Sequence, residues 1–317
     1  MRPDGAFQCS VAAAERGEPL LATASNVRRW LMVEVRGSWG PDVVADTALG
    51  RHVGPGWRAE LASAGIRPLA IRRAPGAAPG AAPRAYLIDV ARDARTVGVV
   101  RRRELPDLDA VAELPLLPHD VEGGEGWVPV DERLVLVCTN GKHDQCCANF
   151  GRPLVRHLRG GARSDSVWEC THIGGDRFAA NLLVVPDGFY FGRVTPDVVD
   201  GLLDRLDDRE VDLARFRGRS SLTFVEQAAE HFVRAELGLT AVDAVVRVRR
   251  RRASQPGGGH VASVDVELRD GRALVVAVER TSRRTIEPLT CTGSPGVSQP
   301  VHRLVAIDDA PAASDPS

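Results

Sequence analysis

Lysine is nearly missing from this chain: Lys142 stands alone among 41 basic residues, and the rest are arginine. Aromatic residues make up only 5%, with two Tyr and two Met, so the core must be built from aliphatic side chains. Neither sign of charge dominates. The formal net charge of -1 gives no bulk field for a nucleic acid or a membrane surface, so neither is expected as a partner. Long apolar runs are absent too. Leu134–Cys138, Leu182–Val185 and Ala273–Val278 are strand-sized, well short of the roughly 20 residues of a membrane helix. Met1–Ser10 lacks the basic-then-apolar order of a secretory signal, and no apolar stretch of signal length follows Arg28-Arg29. The expectation is a cytoplasmic protein. There is also no G-x-x-x-x-G-K-[ST] phosphate loop, no dinucleotide glycine motif and no G-x-S-x-G elbow. No pair of carboxylates stands out as glycosidase machinery.

At 317 residues, 44% hydrophobic and 26% charged, the chain has room for two or three globular domains. Val27–Val35, Ile66–Ile71 and Tyr86–Val90 read as strands, with a helix over Val43–Ala64 broken by Gly50 and Gly54–Gly56. The Ala/Pro/Gly stretch Ala74–Pro83 reads as a low-complexity loop, and Pro106–Pro129 as a connector. Arg133–Cys138 then predicts a strand and Gln145–Arg159 a helix kinked at Pro153. Ser166–His172 predicts a strand, and Asn181–Val185 with Gly188–Val194 a hairpin. Thr195–Leu206 predicts a helix capped by Thr195. That β-α-β-β-β-α order is thioredoxin-like. Further on, Phe224–Leu237 reads as an amphipathic helix. Val242–Arg249, His260–Leu268 and Ala273–Arg280 read as strands. The predicted fold is α/β: an N-terminal α/β layer (1–128), a thioredoxin-like domain (129–215), a small α+β domain (216–310) and a polar tail (311–317).

Four of the six cysteines fall within the 33 positions from Cys138 to Cys170, and His172 and Asp176 follow. Thiolates with an imidazole at this spacing point to zinc or an iron–sulfur cluster. Cys138 ends a strand and Cys146-Cys147 opens a helix. Adjacent helical residues point about 100° apart, so only one of that pair faces the site squarely. Strand side chains alternate, so Cys170 and His172 share a face, which makes Cys170 an alternate ligand. Gly174-Gly175 permits a tight turn and close backbone approach.

The run from Cys138 to Cys147, Gly151–Leu154, and the run from Trp168 through His172 to Ala179 resemble the sucrase/ferredoxin-like family. Cys9-Ser10, Gly17–Leu20 and Arg29-Trp30 resemble its opening. The resemblance spans residues 9 to 215. It implies a thioredoxin-like [2Fe–2S] ferredoxin held by two cysteines and by two histidines of an H-x-G-G-H motif. Cys138, Cys147 and His172 match three of those positions, with Cys146 the alternate for Cys147. Asp176 stands at the second histidine, a harder and negatively charged ligand. The expected function is one-electron transfer, with a separate reductase as donor and a further redox acceptor. The competing readings are a structural zinc protein, or a metal-free thiol-dependent redox protein. His143 and Asp144 read as loop-shaping or outer-shell residues. Cys9 and Cys291, without neighbours in sequence, read as structural or incidental. The basic run Arg247–Arg252 reads as a solvated hairpin end or a docking patch for an acidic redox partner.

Overall fold

A computed structural model of the protein describes residues 6–73, 82–115, 126–131, 133–251 and 260–310. Most of the Ala74–Pro83 loop, part of the Pro106–Pro129 connector, the Ser254–Gly259 loop and the 311–317 tail lie outside the described residues.

The described chain forms one ten-stranded sheet and one four-stranded sheet. In the first half, β1 (Arg29–Glu34), helix α2 (Trp57–Ser63) and β2 (Ile66–Arg72) make a parallel β-α-β unit. β3 (Arg84–Asp89) and β4 (Val99–Glu104) add an antiparallel hairpin on the other side of β1, and β5 (Val128–Val130) extends β4. The second half repeats this order. β6 (Leu134–Cys138), α3 (Gln145–Arg159) and β7 (Val167–Cys170) form the parallel unit, and β8 (Leu182–Val185) and β9 (Phe189–Phe191) the hairpin. The order β7-β6-β8-β9 is the thioredoxin-like arrangement, followed by α4 (Val199–Asp207). The two layers join edge to edge where β2 pairs antiparallel with β7. β10 (Phe216–Arg219) closes the far edge against β9.

The mixed α/β architecture follows from burial patterns. All five residues of β6 are buried, as suits a strand paired on both sides. Its side chains alternate between two cores. Leu134, Leu136 and Cys138 face Met32, Ile71, Trp168 and Tyr190. Val135 and Val137 face Leu154, Val155 and Leu158 of α3. The last part of the chain is an antiparallel meander of β11 (Val245–Arg250), β12 (Val261–Leu268), β13 (Ala273–Arg284) and β14 (Ser298–Asp309). Helix α5 (Phe224–Leu237) lays Val225, Ala228, Ala229 and Val233 on Val264, Val266, Val276 and Val278. Its start carries a capping box between Thr223 and Glu226.

Two local expectations need correction. Helix α4 starts at Val199, not after Thr195; residues 195–198 form a turn in which the Thr195 carbonyl accepts the Val198 and Val199 amides. α3 spans the expected Gln145–Arg159 with Pro153 inside it. The broken helix expected over Val43–Ala64 is reduced to a 3-10 turn at Ala48–Arg51, which contains Gly50, and the short α2, with Gly54, Pro55 and Gly56 separating them as expected. The basic run lies largely on β11, where Arg247 pairs with Glu267, and Arg251 just beyond it pairs with Asp265.

Candidate metal centre

The centre forms where β6 ends, α3 begins and the chain turns after β7. Beyond Cys138 the chain turns through Thr139–His143 into α3, whose cap Asp144 accepts the Cys146 amide at 2.8 Å. Gly151, one turn past Cys147 in α3, lets the helix lie against β6. A Cβ there would stand 2.2 Å from the Cys138 carbonyl oxygen. The spacing Cys138–Cys147–Gly151 therefore has a mechanical basis: it seats Cys147 over Cys138. Under the strand end, buried Glu169 accepts hydrogen bonds from Thr139 Oγ1 at 2.7 Å, Arg72 at 2.9 Å and Arg159 at 3.2 Å.

β7 stops at Cys170, so His172 lies past the strand and does not share a strand face with Cys170. The turn that follows has φ of 98° at Gly174 and 82° at Gly175, which side-chain-bearing residues rarely adopt. It is clamped from several sides. Ser25 Oγ donates to the Ile173 carbonyl at 2.8 Å and Arg67 to the His172 carbonyl at 3.0 Å. Buried Arg217 donates to the Gly174 carbonyl at 3.0 Å and to Asn181 Oδ1 at 2.8 Å, while Asn181 Nδ2 donates to the Gly175 carbonyl at 2.8 Å. Burial pushes the Arg217 guanidinium down to about 10, still protonated at neutral pH. Neither Arg217 nor Asn181 belongs to a motif read from the sequence, and a polar residue inside an apolar strand end was the only signal.

These elements bring one ligand atom each of Cys138, Cys147 and His172 within 4.8 Å of one another. Asp176 adjoins them. Its Oδ1 accepts the Cys147 thiol at 3.1 Å and lies 2.9 Å from His172 Nδ1. That second approach is off the line of a hydrogen bond, and His172 Nδ1 is a buried ring nitrogen without a hydrogen-bond partner. His143 stacks on His172 with ring centroids 3.7 Å apart, and with His172 and Asp176 it makes a second overlapping donor group. Cys170 stays in the apolar core beside Trp168 and belongs to neither group.

The electrostatics suit a ligand set. The Cys147 thiol beside Cys138 holds the Cys138 thiol down to about 5, with His172 helping, while Cys138 and burial push Cys147 up. Burial alone would lower His172; the Asp176 carboxylate and the Cys138 thiolate outweigh it and hold the imidazole up at about 9. Burial works against the Asp176 carboxylate, yet His172 keeps it below its ordinary range. A soft, partly deprotonated Cys/Cys/His set with a carboxylate beside it fits a transition-metal centre.

Cys146 points elsewhere. As expected for neighbours about 100° apart on a helix, it leaves the first group, but it does not sit idle. Its sulfur lies 3.4 Å from Cys291 Sγ, which lies 3.6 Å from Cys9 Sγ at the start of α1 (Cys9–Glu15). Of the two readings of Cys9 and Cys291, structural or incidental, the structural one agrees with their placement: the fold closes intervals of 282 and 145 positions to gather them at Cys146 and Asp144.

A sequence profile described as Sucrase/ferredoxin-like matches residues 20–218. The chain belongs to the sucrase/ferredoxin-like family. The match spans both thioredoxin-ordered layers and every residue of the first donor group. The chain is also 28% identical over 104 residues to altered inheritance of mitochondria protein 32 of Eremothecium gossypii. That alignment spans 28% of this chain and 33% of the fungal protein's length. Among solved structures, two variants of the thioredoxin-like [2Fe–2S] ferredoxin from Aquifex aeolicus match at 19% identity. Each covers 28% of this chain and 100% of the ferredoxin, with a TM-score of 0.25. Among the described residues of this family member, no helix is long and apolar enough to cross a membrane.

Proposed function

We propose that this protein carries single electrons through a [2Fe–2S] cluster held by Cys138, Cys147, His172 and Asp176. The observation that carries the reading is the convergence of two buried thiols and an imidazole at the strand-to-helix junction. Asp176 is favoured over Cys170 as the fourth ligand because its carboxylate already touches Cys147 and His172, whereas Cys170 packs in the core. When bound, such a cluster supplies a one-electron couple whose potential follows ligand charge and surrounding hydrogen bonds.

The chain's own residues supply the rest. Arg217, Asn181 and Ser25 fix the turn that presents His172 and Asp176. Trp168, Tyr190 and Leu136 exclude water from the thiol side. His172 and His143 line a shallow surface depression with Arg58 and Arg67. That partly exposed imidazole edge gives electrons a short way in and out, and its arginines suit an acidic surface on a redox partner. Without a nicotinamide or flavin motif of its own, the chain takes its electron from a separate reductase.

The compact donor spacing supports one second reading, since atoms all within 4.8 Å also suit a single tetrahedral zinc ion. Iron and acid-labile sulfide analysis of protein purified without oxygen separates the two. The electron-carrier reading predicts iron and sulfide in equal amounts, both lost in Cys138→Ser and Cys147→Ser. Zinc in place of iron, lost in the same variants, would establish the structural reading.

A further inference from the structure

We propose that Cys9, Cys146 and Cys291 form a second metal site, a tris-thiolate centre for zinc(II) or a comparably soft divalent cation. The ligands come from three remote parts of the chain. Cys9 opens α1, Cys146 lies in the first turn of α3, and Cys291 sits in the connection between β13 and β14. Cys9 and Cys146 are fully buried among Phe7, Phe150 and Ala179, and Cys291 is half-buried, which leaves an entry path on its side.

The spacing is that of a coordination shell. Zinc–sulfur bonds of about 2.3 Å in a tetrahedron place sulfurs about 3.8 Å apart. The sulfurs here stand 3.4 Å (Cys146 to Cys291) and 3.6 Å (Cys291 to Cys9) apart. Asp144 completes the group. Both carboxylate oxygens lie 3.6 Å from Cys9 Sγ, and all four residues offer ligand atoms within 4.8 Å of one another. Asp144 also holds two ligands in register: Oδ1 accepts the Cys146 amide at 2.8 Å and Oδ2 the Cys291 amide at 2.7 Å. An outer carboxylate that positions thiolate-bearing backbone is a familiar partner of metal sites, and its free lone pairs can provide the fourth ligand.

A set of packed apolar thiols would not need a carboxylate at its centre. A disulfide would use two of the sulfurs and leave the third buried against Asp144. A cation uses all four groups. Loading turns the three thiols into thiolates and releases their protons to water, and the dication offsets two of the four negative charges then carried by the ligands. It would clip the N-terminal helix and the β13–β14 connection to the helix that carries Cys147, closing loops of 135 residues or more. The site shares no ligand with the first centre and stands whether or not that centre holds iron.

The test uses the full chain carrying Cys138→Ser and Cys147→Ser, which removes the first centre, purified under thiol reductant and dialysed against zinc(II). The expected result is about one zinc per chain, lost on adding Cys9→Ser or Cys291→Ser. Cobalt(II) should give tetrahedral d–d bands and thiolate charge transfer that vanish in the same variants. Should the double variant not fold by circular dichroism, the wild-type chain is compared with Cys291→Ser, whose half-exposed position tolerates serine. One metal equivalent fewer and faster proteolysis within 285–297 are then expected. Folded protein without zinc, zinc retained in both Cys9→Ser and Cys291→Ser, or a disulfide among these cysteines in protein alkylated directly from cells would each overturn the proposal.

Discussion

Replacing Gly151 by alanine tests how closely the helix must lie on the strand to bring Cys147 to Cys138. In an unconstrained helix the change is favourable by about 0.8–1 kcal/mol. Here the new methyl meets the Cys138 carbonyl oxygen at 2.2 Å, its carbonyl carbon at 3.2 Å and Thr139 Cγ2 at 3.3 Å. Ordinary contact begins at 3.4 Å, so the methyl and the oxygen must part by about 1.2 Å, and the obstacle is backbone rather than a flexible side chain. Overpacking of this kind costs about 1–3 kcal/mol, which outweighs the propensity gain. The variant should lose about 1–2 kcal/mol, or about 2–4 °C in melting temperature for a chain of this size. The same displacement moves Cys147, and a metal site needs its ligands placed to about 0.5 Å, so metal content should fall as well. Gly201→Ala in α4 is the control. Nothing lies within 4 Å of its added Cβ, and it should stabilise by about 0.5–1 kcal/mol with unchanged metal. Melting curves and metal analysis of both variants decide the matter. A Gly151→Ala protein as stable and as fully loaded as wild type would refute the reasoning.

Three further outcomes follow from the same geometry. Glu230 is fully buried between Arg219 at 2.6 Å and Arg234 at 2.9 Å, so Glu230→Gln leaves two arginines poorly compensated; a loss of about 3–5 kcal/mol in urea unfolding is expected, and one below about 1 would count against it. In the metal-free protein His172 is raised from 6.5 to about 9, so its charged form stabilises the fold fully below 6.5 and that contribution fades as pH climbs through 9. Metal must displace that proton and the one on Cys147, so affinity measured by cobalt titration should rise about a hundredfold per pH unit across this window, and a slope no steeper than about tenfold would contradict the assignment of His172. Asp176→His exchanges an anionic ligand for a neutral one and should raise the reduction potential by on the order of 100–300 mV, judged from the gap between histidine-ligated and all-cysteine clusters. An unchanged or lower value by protein-film voltammetry would remove Asp176 from the ligand set.

The parts of this fold that could be read from sequence share one property: local pattern and tertiary demand agree. β6 is an unbroken apolar run because it is paired on both sides, and α3 and α5 carry caps at the positions where they begin. Elements that escaped detection have their reasons outside the segment. β14 contains Pro300, which reads as a breaker but is tolerated because β14 is an edge strand. β4 hides behind three consecutive arginines, and α1 has no side-chain cap, no acidic first turn and no basic last turn. The same division holds at the metal centres. Cys138, Cys147, His172 and Asp176 are gathered from within 39 positions of chain, where spacing carries information. His143 was visible only as a loop residue until the fold stacked it on His172. Cys9 and Cys291 meet because α1 and the β13–β14 connection both pack against the start of α3, which no local spacing encodes.

The central claim is that the first donor group holds a redox-active iron–sulfur cluster. Its most direct test is the visible absorption spectrum of protein purified without oxygen, recorded before and after dithionite. The account predicts sulfide-to-iron charge-transfer bands that bleach on reduction and are missing in Cys138→Ser. A spectrum that stays colourless after reconstitution with iron and sulfide, in a folded protein with all six thiols reduced, would contradict it.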